Sequence, residues 1–139
     1  MKPKISPEEY KKTLDNIDVE SIYVTDVKAK NDSKYLDKNL QIDIKEKEKF
    51  DQEEKGLKVL YTISLKGKSP NFDKPAVEIS VTYNIYYSKK EKLQISEDFF
   101  EPFSKFILGM MVWTYFREFV QNMIGRMNLP PLTLPLKRL

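Results

Sequence analysis

Val112-Trp113-Thr114-Tyr115-Phe116-Arg117-Glu118 is followed by Val120, Met123, Ile124 and Arg126, and then by Leu129-Pro130-Pro131-Leu132-Thr133-Leu134. The first part reads as an amphipathic helix. The second is an apolar exit whose prolines disfavour helix at their own positions and at the residue before. From Met110 to Met127 the helical face is Trp113, Phe116, Val120, Met123, Ile124 and Met127. Apolar residues spread almost all round the first half, as in a helix buried on more than one side. One sheet covers only one side, so the excess predicts a partner subunit. Trp113, Phe116, Val120, Met123 and Ile124 are the expected oligomer interface.

Working back along the chain, Ser96-Glu97-Asp98 is an N-cap signature that predicts a short helix over Phe99–Leu108, kinked or broken at Gly109. Before it, Val77, Ile79, Val81, Tyr83, Ile85 and Tyr87 alternate with polar residues, as do Leu57, Val59, Tyr61, Ile63 and Leu65. Both runs predict strands with one apolar and one polar face, as in an antiparallel sheet covered on one side. Leu40, Ile42 and Ile44 begin a third alternating strand. The charge-dense Lys45–Lys55 predicts a frayed strand end and a turn closed by Gly56. Val19–Ala29 is β-branched with a mixed pattern and predicts the first strand. Lys30–Asn39, polar apart from Tyr35 and Leu36, reads as a crossover loop. Ser6-Pro7-Glu8-Glu9 starts a short N-terminal helix that ends near Asp15-Asn16. The fold class is therefore α+β: a four-stranded antiparallel sheet, a meander in its last three strands, with a long helix on its apolar face.

Composition sets the outer bounds. The 139 residues are expected to form one domain, 1–139. Hydrophobic residues at 40% and charged residues at 32% mark a globular chain. The 24 Lys and Arg against 21 Asp and Glu, net +3, do not call for nucleic acid. Cys and His are absent, which removes disulfides, thiolate chemistry and the commonest general base and metal ligand. Phe106–Phe116, the longest apolar-rich run without charge, is about half the roughly 20 residues of a membrane span. With no secretory signal after Met1, a soluble cytoplasmic protein is expected.

No Gly-rich phosphate cradle or metal-ligand spacing appears, and the carboxylates sit mostly in Lys-rich stretches, so no catalytic site, cofactor or metal is expected. Arg117 and Glu118, adjacent on the helix, point about 100° apart and do not pair with each other. Met123 and Met127 read as core packing, while Met110 and Met111 leave open a promiscuous apolar surface. Lys47, Lys49, Lys55, Lys58, Lys66 and Lys68 near Tyr61 could suggest an RNA-binding sheet. Yet Tyr61 falls on the apolar face, and Glu46, Glu48, Asp51, Glu53 and Glu54 balance the lysines.

The segment 112–134 resembles the helix of the SecB family of export chaperones, whose pattern is apolar-aromatic-Pro-Tyr-x-Arg-Glu, then Val/Ile, Met/Leu-Val/Ile, Arg, and an aromatic/Leu-Pro-x-Leu-x-Leu exit. Thr114 stands where the family usually has Pro. Ile22-Tyr23-Val24-Thr25-Asp26-Val27 is similar to the family's first strand, with its Tyr-x-x-Asp-Val/Ile. Together the two matches cover about thirty residues. The resemblance implies ATP-independent holdase binding of non-native polypeptides by a homotetramer, a dimer of dimers. It also implies a client groove in which Tyr35, Leu36, Leu40, Ile42, Ile44 and Phe50 face Leu129, Leu132 and Leu134.

The family is typically acidic, and continues past the Leu-x-Leu exit into a segment that helps engage the translocase motor SecA. Here the chain is basic and stops at Leu139, and an acidic SecA-docking surface is not evident. SecA is the partner that the resemblance to the export chaperones implies. An antitoxin is the other, because SecB-like proteins also serve toxin–antitoxin pairs. A structural or small-ligand-binding oligomer that reuses the fold is the third possibility.

Overall fold

The structure, a computed structural model, describes residues 5–130. The chain order is α1 (Pro7–Asn16), β1 (Ile17–Asn31), a short 3-10 turn (Ser33–Tyr35), β2 (Gln41–Glu53), β3 (Gly56–Lys68), β4 (Val77–Lys89), α2 (Glu97–Phe103) and α3 (Gly109–Arg126). The sheet is antiparallel throughout, ordered β1-β4-β3-β2. β2, β3 and β4 form the expected meander, and β1 returns to the far side of β4.

Alternation decides the layers. Leu57, Val59, Ile63 and Leu65 of β3 and Val77, Ile79, Val81 and Ile85 of β4 are fully buried on one face. Phe99, Phe103, Leu108, Val112, Phe116 and Val120 of the helices close over them. On the outer face the centre of the sheet is tied by hydroxyl pairs, Thr62–Thr82 at 2.8 Å and Ser64–Ser80 at 3.1 Å. Ser6 caps α1 by accepting from the Glu9 N–H, and Ser96 caps α2 by accepting from the Phe99 N–H. Asn16 then clasps the connection out of β4: its side chain accepts from the Glu91 N–H at 2.7 Å and donates to the Glu91 carbonyl.

Three expectations need correction. Lys45–Glu53 is not frayed but completes a thirteen-residue β2, paired with β3 out to Glu53–Gly56. Cross-strand backbone bonding overrides the missing hydrophobic pattern, because an edge strand need not bury either face along its whole length. Gly109 breaks nothing. The irregularity lies one turn earlier, where Ser104–Leu108 form a π turn two residues after Pro102, and the helix runs on through Gly109. Thr114, where the family has Pro, keeps the helix regular and donates its hydroxyl to the Met110 carbonyl at 3.0 Å.

The third correction concerns the assigned interface. Phe116, Val120 and Ile124 are 0, 0 and 3% exposed, so one chain already uses up their surface. Trp113 is also buried and Met123 half-buried against the same core. The apolar surface left over lies elsewhere: Val19, Val24 and Val27 of β1 are 52, 44 and 52% exposed. They stand opposite Tyr87, Tyr83 and Val81 of β4, hence on the helix side of the sheet, where the helix does not reach them. Phe106, Ile107, Met110 and Tyr115 are also left exposed on the helix, and the Tyr115 ring lies 6.3 Å from Tyr83.

Candidate functional site: an apolar cleft beside the edge strand

A cleft of about 280 Å³ opens between the crossover, the start of β2 and the C-terminal end of α3. Leu36, Leu40, Ile42, Val77, Ile124 and Leu129 supply its apolar lining, with Asp37, Lys38 and Pro130 at its rim. Its walls are built by identifiable local chemistry. α3 ends in a left-handed Asn128, φ 56°. The Leu129 N–H turns back to the Ile124 carbonyl at 3.4 Å, the six-to-one bond of a Schellman ending. That motif favours an apolar contact between these same two positions, and both side chains line the cleft. Asn31 at the end of β1 donates to the Met127 carbonyl at 2.9 Å and fixes the helix end to the sheet.

The crossover forms the other wall. Its single 3-10 turn is closed by Leu36 N–H to the Ser33 carbonyl. Asp37 accepts from its neighbour Lys38 N–H at 2.7 Å and from the Asn71 side-chain amide at 2.6 Å. The Asn71 bond first, and the Lys38 N–H second, hold the Asp37 carboxyl below the usual carboxylate range. The crossover is thereby tied to the β3–β4 loop.

The floor depends on a glycine. Gly67 stands opposite Ile42 and Val77 on the helix side of the sheet. A Cβ there would come within 2.6 Å of Val77 Cγ1 and 3.3 Å of Ile42 Cδ1. Its absence lets Leu40, Ile42 and Val77 close over the strand.

The structure brings Leu36, Leu40, Ile42 and Leu129 together, as expected of a groove. Ile44 continues the same face of β2, opposite Leu65, and packs against the core. Tyr35 does not join them: its ring meets Phe72 edge-on at 5.7 Å, with Lys34 and Lys74 ammonium groups over it at 5.3 and 5.9 Å. It belongs to a second, shallow site with Asn71 and Asp73. Phe50 is also elsewhere, six residues beyond Ile44 or about 20 Å along the strand, stacked on Phe100 at 3.9 Å. Leu132 and Leu134 lie outside the described residues. Gly67, Val77 and Ile124 complete the cleft and were not anticipated. Val77 read as an apolar strand residue and Ile124 as part of the oligomer interface, while Gly67 carried no signal of its own.

Burial pushes the Tyr87 hydroxyl up to about 12, and burial followed by Glu118 does the same for Tyr83. Burial, then Glu46, raises Tyr61, whose hydroxyl donates to Glu46 at 3.2 Å. All three stay neutral. Among the described residues no group of three or more Asp and Glu could hold a metal ion, and no helix is long and apolar enough to cross a membrane.

No protein-family model and no curated protein sequence matches the chain. Its architecture does have a counterpart. The structure of the Mycobacterium tuberculosis Rv1957 SecB-like chaperone, in complex with a ChAD peptide from the Rv1956 HigA1 antitoxin, superposes with a TM-score of 0.75. The match covers 94% of this chain and 97% of that one, at 15% identity. The fold is SecB-like. A protein of unknown function from Streptococcus agalactiae aligns over 86% of this chain with a TM-score of 0.37 and 12% identity.

Proposed function

We propose that this chain is a nucleotide-independent chaperone that holds extended, non-native polypeptide in the cleft beside β2. The observation that carries it is the cleft itself: an apolar trough lined by Leu36, Leu40, Ile42, Ile124 and Leu129, next to a free sheet edge. A folded protein hides its apolar side chains and offers nothing to such a trough, whereas an unfolded chain offers several. Modest contacts along one chain then add through effective concentration, and several subunits multiply them.

Assembly belongs to this function. The valines of β1 with Phe106, Ile107, Met110 and Tyr115 form an apolar surface of the kind that partners cover. A second copy laid on this face gives a dimer, and two dimers the expected tetramer. The work is cytoplasmic, among newly made chains.

A dedicated client is favoured over general export. The outer face of β2 sets Lys45, Lys47 and Lys49 between Asp43 and Asp51, which is not an acidic platform for SecA, and the Rv1957 chaperone is in complex with an antitoxin peptide. An antitoxin is the client class to try first.

The test is aggregation of several unrelated unfolded proteins, without nucleotide, against added chain. Slowed aggregation is expected, with particles larger than a monomer by light scattering at micromolar concentration. A monomer that protects none of them would leave the structural-oligomer and chaperone alternatives both without support.

A further inference from the structure

We propose, resting on the chaperone function above, that the free edge of β2 accepts a client as an added strand and selects one with acidic side chains at alternate positions. β2 is an edge strand thirteen residues long. Among the described residues, no backbone group on its free side has a further backbone partner. An extended polypeptide can supply one, and such addition gives affinity through the main chain and specificity through alternate side chains.

The pairing register sets what those side chains meet. Lys45, Lys47 and Lys49 stand opposite Ser64, Thr62 and Leu60, on the outer face. Glu46 and Glu48 stand opposite Ile63 and Tyr61, on the helix side. The run Lys45-Glu46-Lys47-Glu48-Lys49, balanced as a sequence, is sorted by the pleat into a basic row and an acidic row on opposite faces. The three lysines are exposed and form no ion pair among the described residues. A fifth strand with acids at i, i+2 and i+4 places one beside each lysine, at the roughly 5 Å Cβ spacing of cross-strand neighbours.

The charge pattern also argues against other occupants. A two-fold axis that joins two β2 edges keeps their outer faces together, so Lys would oppose Lys on one face and Glu oppose Glu on the other. A second copy is disfavoured in the register that centres the two runs on each other, Lys47 on Lys47. The row's outer-face neighbours across the strand, Ser64, Thr62 and Leu60, offer no aromatic platform for stacked bases.

Binding of labelled nine-residue peptides, followed by fluorescence anisotropy, tests this. One peptide alternates apolar residues with Glu, a second has Lys for Glu, a third has Ser for Glu, and a fourth scrambles the first. The wild-type chain is expected to bind the Glu peptide on the order of tenfold more tightly than the Lys peptide, from three modest cross-strand pairs. Scrambling should remove most of that margin, as should N-methylation of the peptide backbone on the side facing β2. The combined Lys45→Glu, Lys47→Glu, Lys49→Glu variant should invert the preference, and the corresponding triple Gln variant should abolish it.

An unchanged preference in both variants would overturn the inference. So would equal binding of scrambled and alternating peptides, or a single-stranded oligonucleotide displacing the Glu peptide through the same lysines. The Ser peptide separates this from the function beneath it. If it binds all three proteins alike while the Glu peptide shows no advantage, the cleft holds clients and the lysines do not select them. If no peptide and no unfolded protein binds the wild type, the chaperone function fails as well.

Discussion

Replacing Gly67 by Ala adds one methyl group at the floor of the cleft, and the structure sets its cost. The new Cβ would lie 2.6 Å from Val77 Cγ1, well inside the roughly 3.5–4.0 Å at which two carbons attract. Val77 is 1% exposed, β-branched and paired on both sides, so it cannot swing away. Overpacking of this kind costs about 1–3 kcal/mol. Ala in a strand recovers roughly 0.5–1 kcal/mol of backbone entropy relative to Gly. The net is a loss of about 1 kcal/mol, a fall in melting temperature of roughly 2–5 °C for a chain of this size. Ile42 and Leu40, at 3.3 and 3.6 Å from the same point, yield towards the cleft, so peptide affinity per folded molecule should fall too. The matching control is Gly125→Ala. It lies on the exposed side of α3 with nothing within 4 Å, so helix propensity alone should stabilise it by roughly 0.5–1 kcal/mol. Urea unfolding and peptide anisotropy on both variants decide the matter. If Gly67→Ala stabilises the chain as Gly125→Ala does, the floor is not packed as described. If it destabilises the fold but leaves affinity untouched, Gly67 serves the core and not the cleft.

Tyr35 and Leu36 should part company. Leu36→Ser is expected to weaken peptide binding about fivefold, from loss of roughly 1 kcal/mol of apolar contact, whereas Tyr35→Ser should leave it unchanged, since that ring packs on Phe72 outside the cleft. Equal losses in the two variants would place the site on the crossover as a whole. Asp37, held below the ordinary carboxylate range, supports the crossover fully above that range and loses its effect as pH falls through its lower folded value. Peptide affinity of wild type and Asp37→Asn should therefore differ near neutral pH, and the difference should begin to shrink only once the pH falls below about 4. A difference that persists in acid would show that the amide substitution, and not the lost charge, is responsible.

The sequence made the two central strands plain because one face of each is wholly buried: Leu57–Leu65 and Val77–Tyr87 alternate, with Leu60 and Tyr86 the outward exceptions. It hid the far half of β2 because Glu46 and Glu48 occupy the helix side between Ile44 and Phe50, so a period of two carries no hydropathy signal there. β1 looked mixed for a different reason. Register shifts between Val19 and Ser21, and between Val24 and Asp26, move its apolar residues out of strict alternation. The helix pattern correctly announced surplus apolar surface but not its location. The strongest stripe, Trp113 to Ile124, goes to the chain's own sheet, and the surplus falls on Phe106, Ile107, Met110 and Tyr115. Four of the groove residues could be named from the resemblance. The glycine beneath them could not, because a missing Cβ has meaning only once Val77 is known to lie against it.

The place of β1 in the sheet has a consequence for how the molecule is made. The first strand synthesised pairs only with the last: Asn31 meets Val77, and Ile17 meets Lys89. β2, β3 and β4 can zip together as each leaves the ribosome, through two short-range hairpins. β1 must wait for Lys89, fifty-eight residues after its own end. At about 5–20 residues per second that delay is roughly 3–12 seconds. During it, Val19, Ile22, Val24 and Val27 hang from the nascent chain as an apolar, strand-forming segment with nothing to pair with. For that interval the protein presents the kind of stretch it is proposed to hold in others, and an already folded copy is the nearest thing built to receive it.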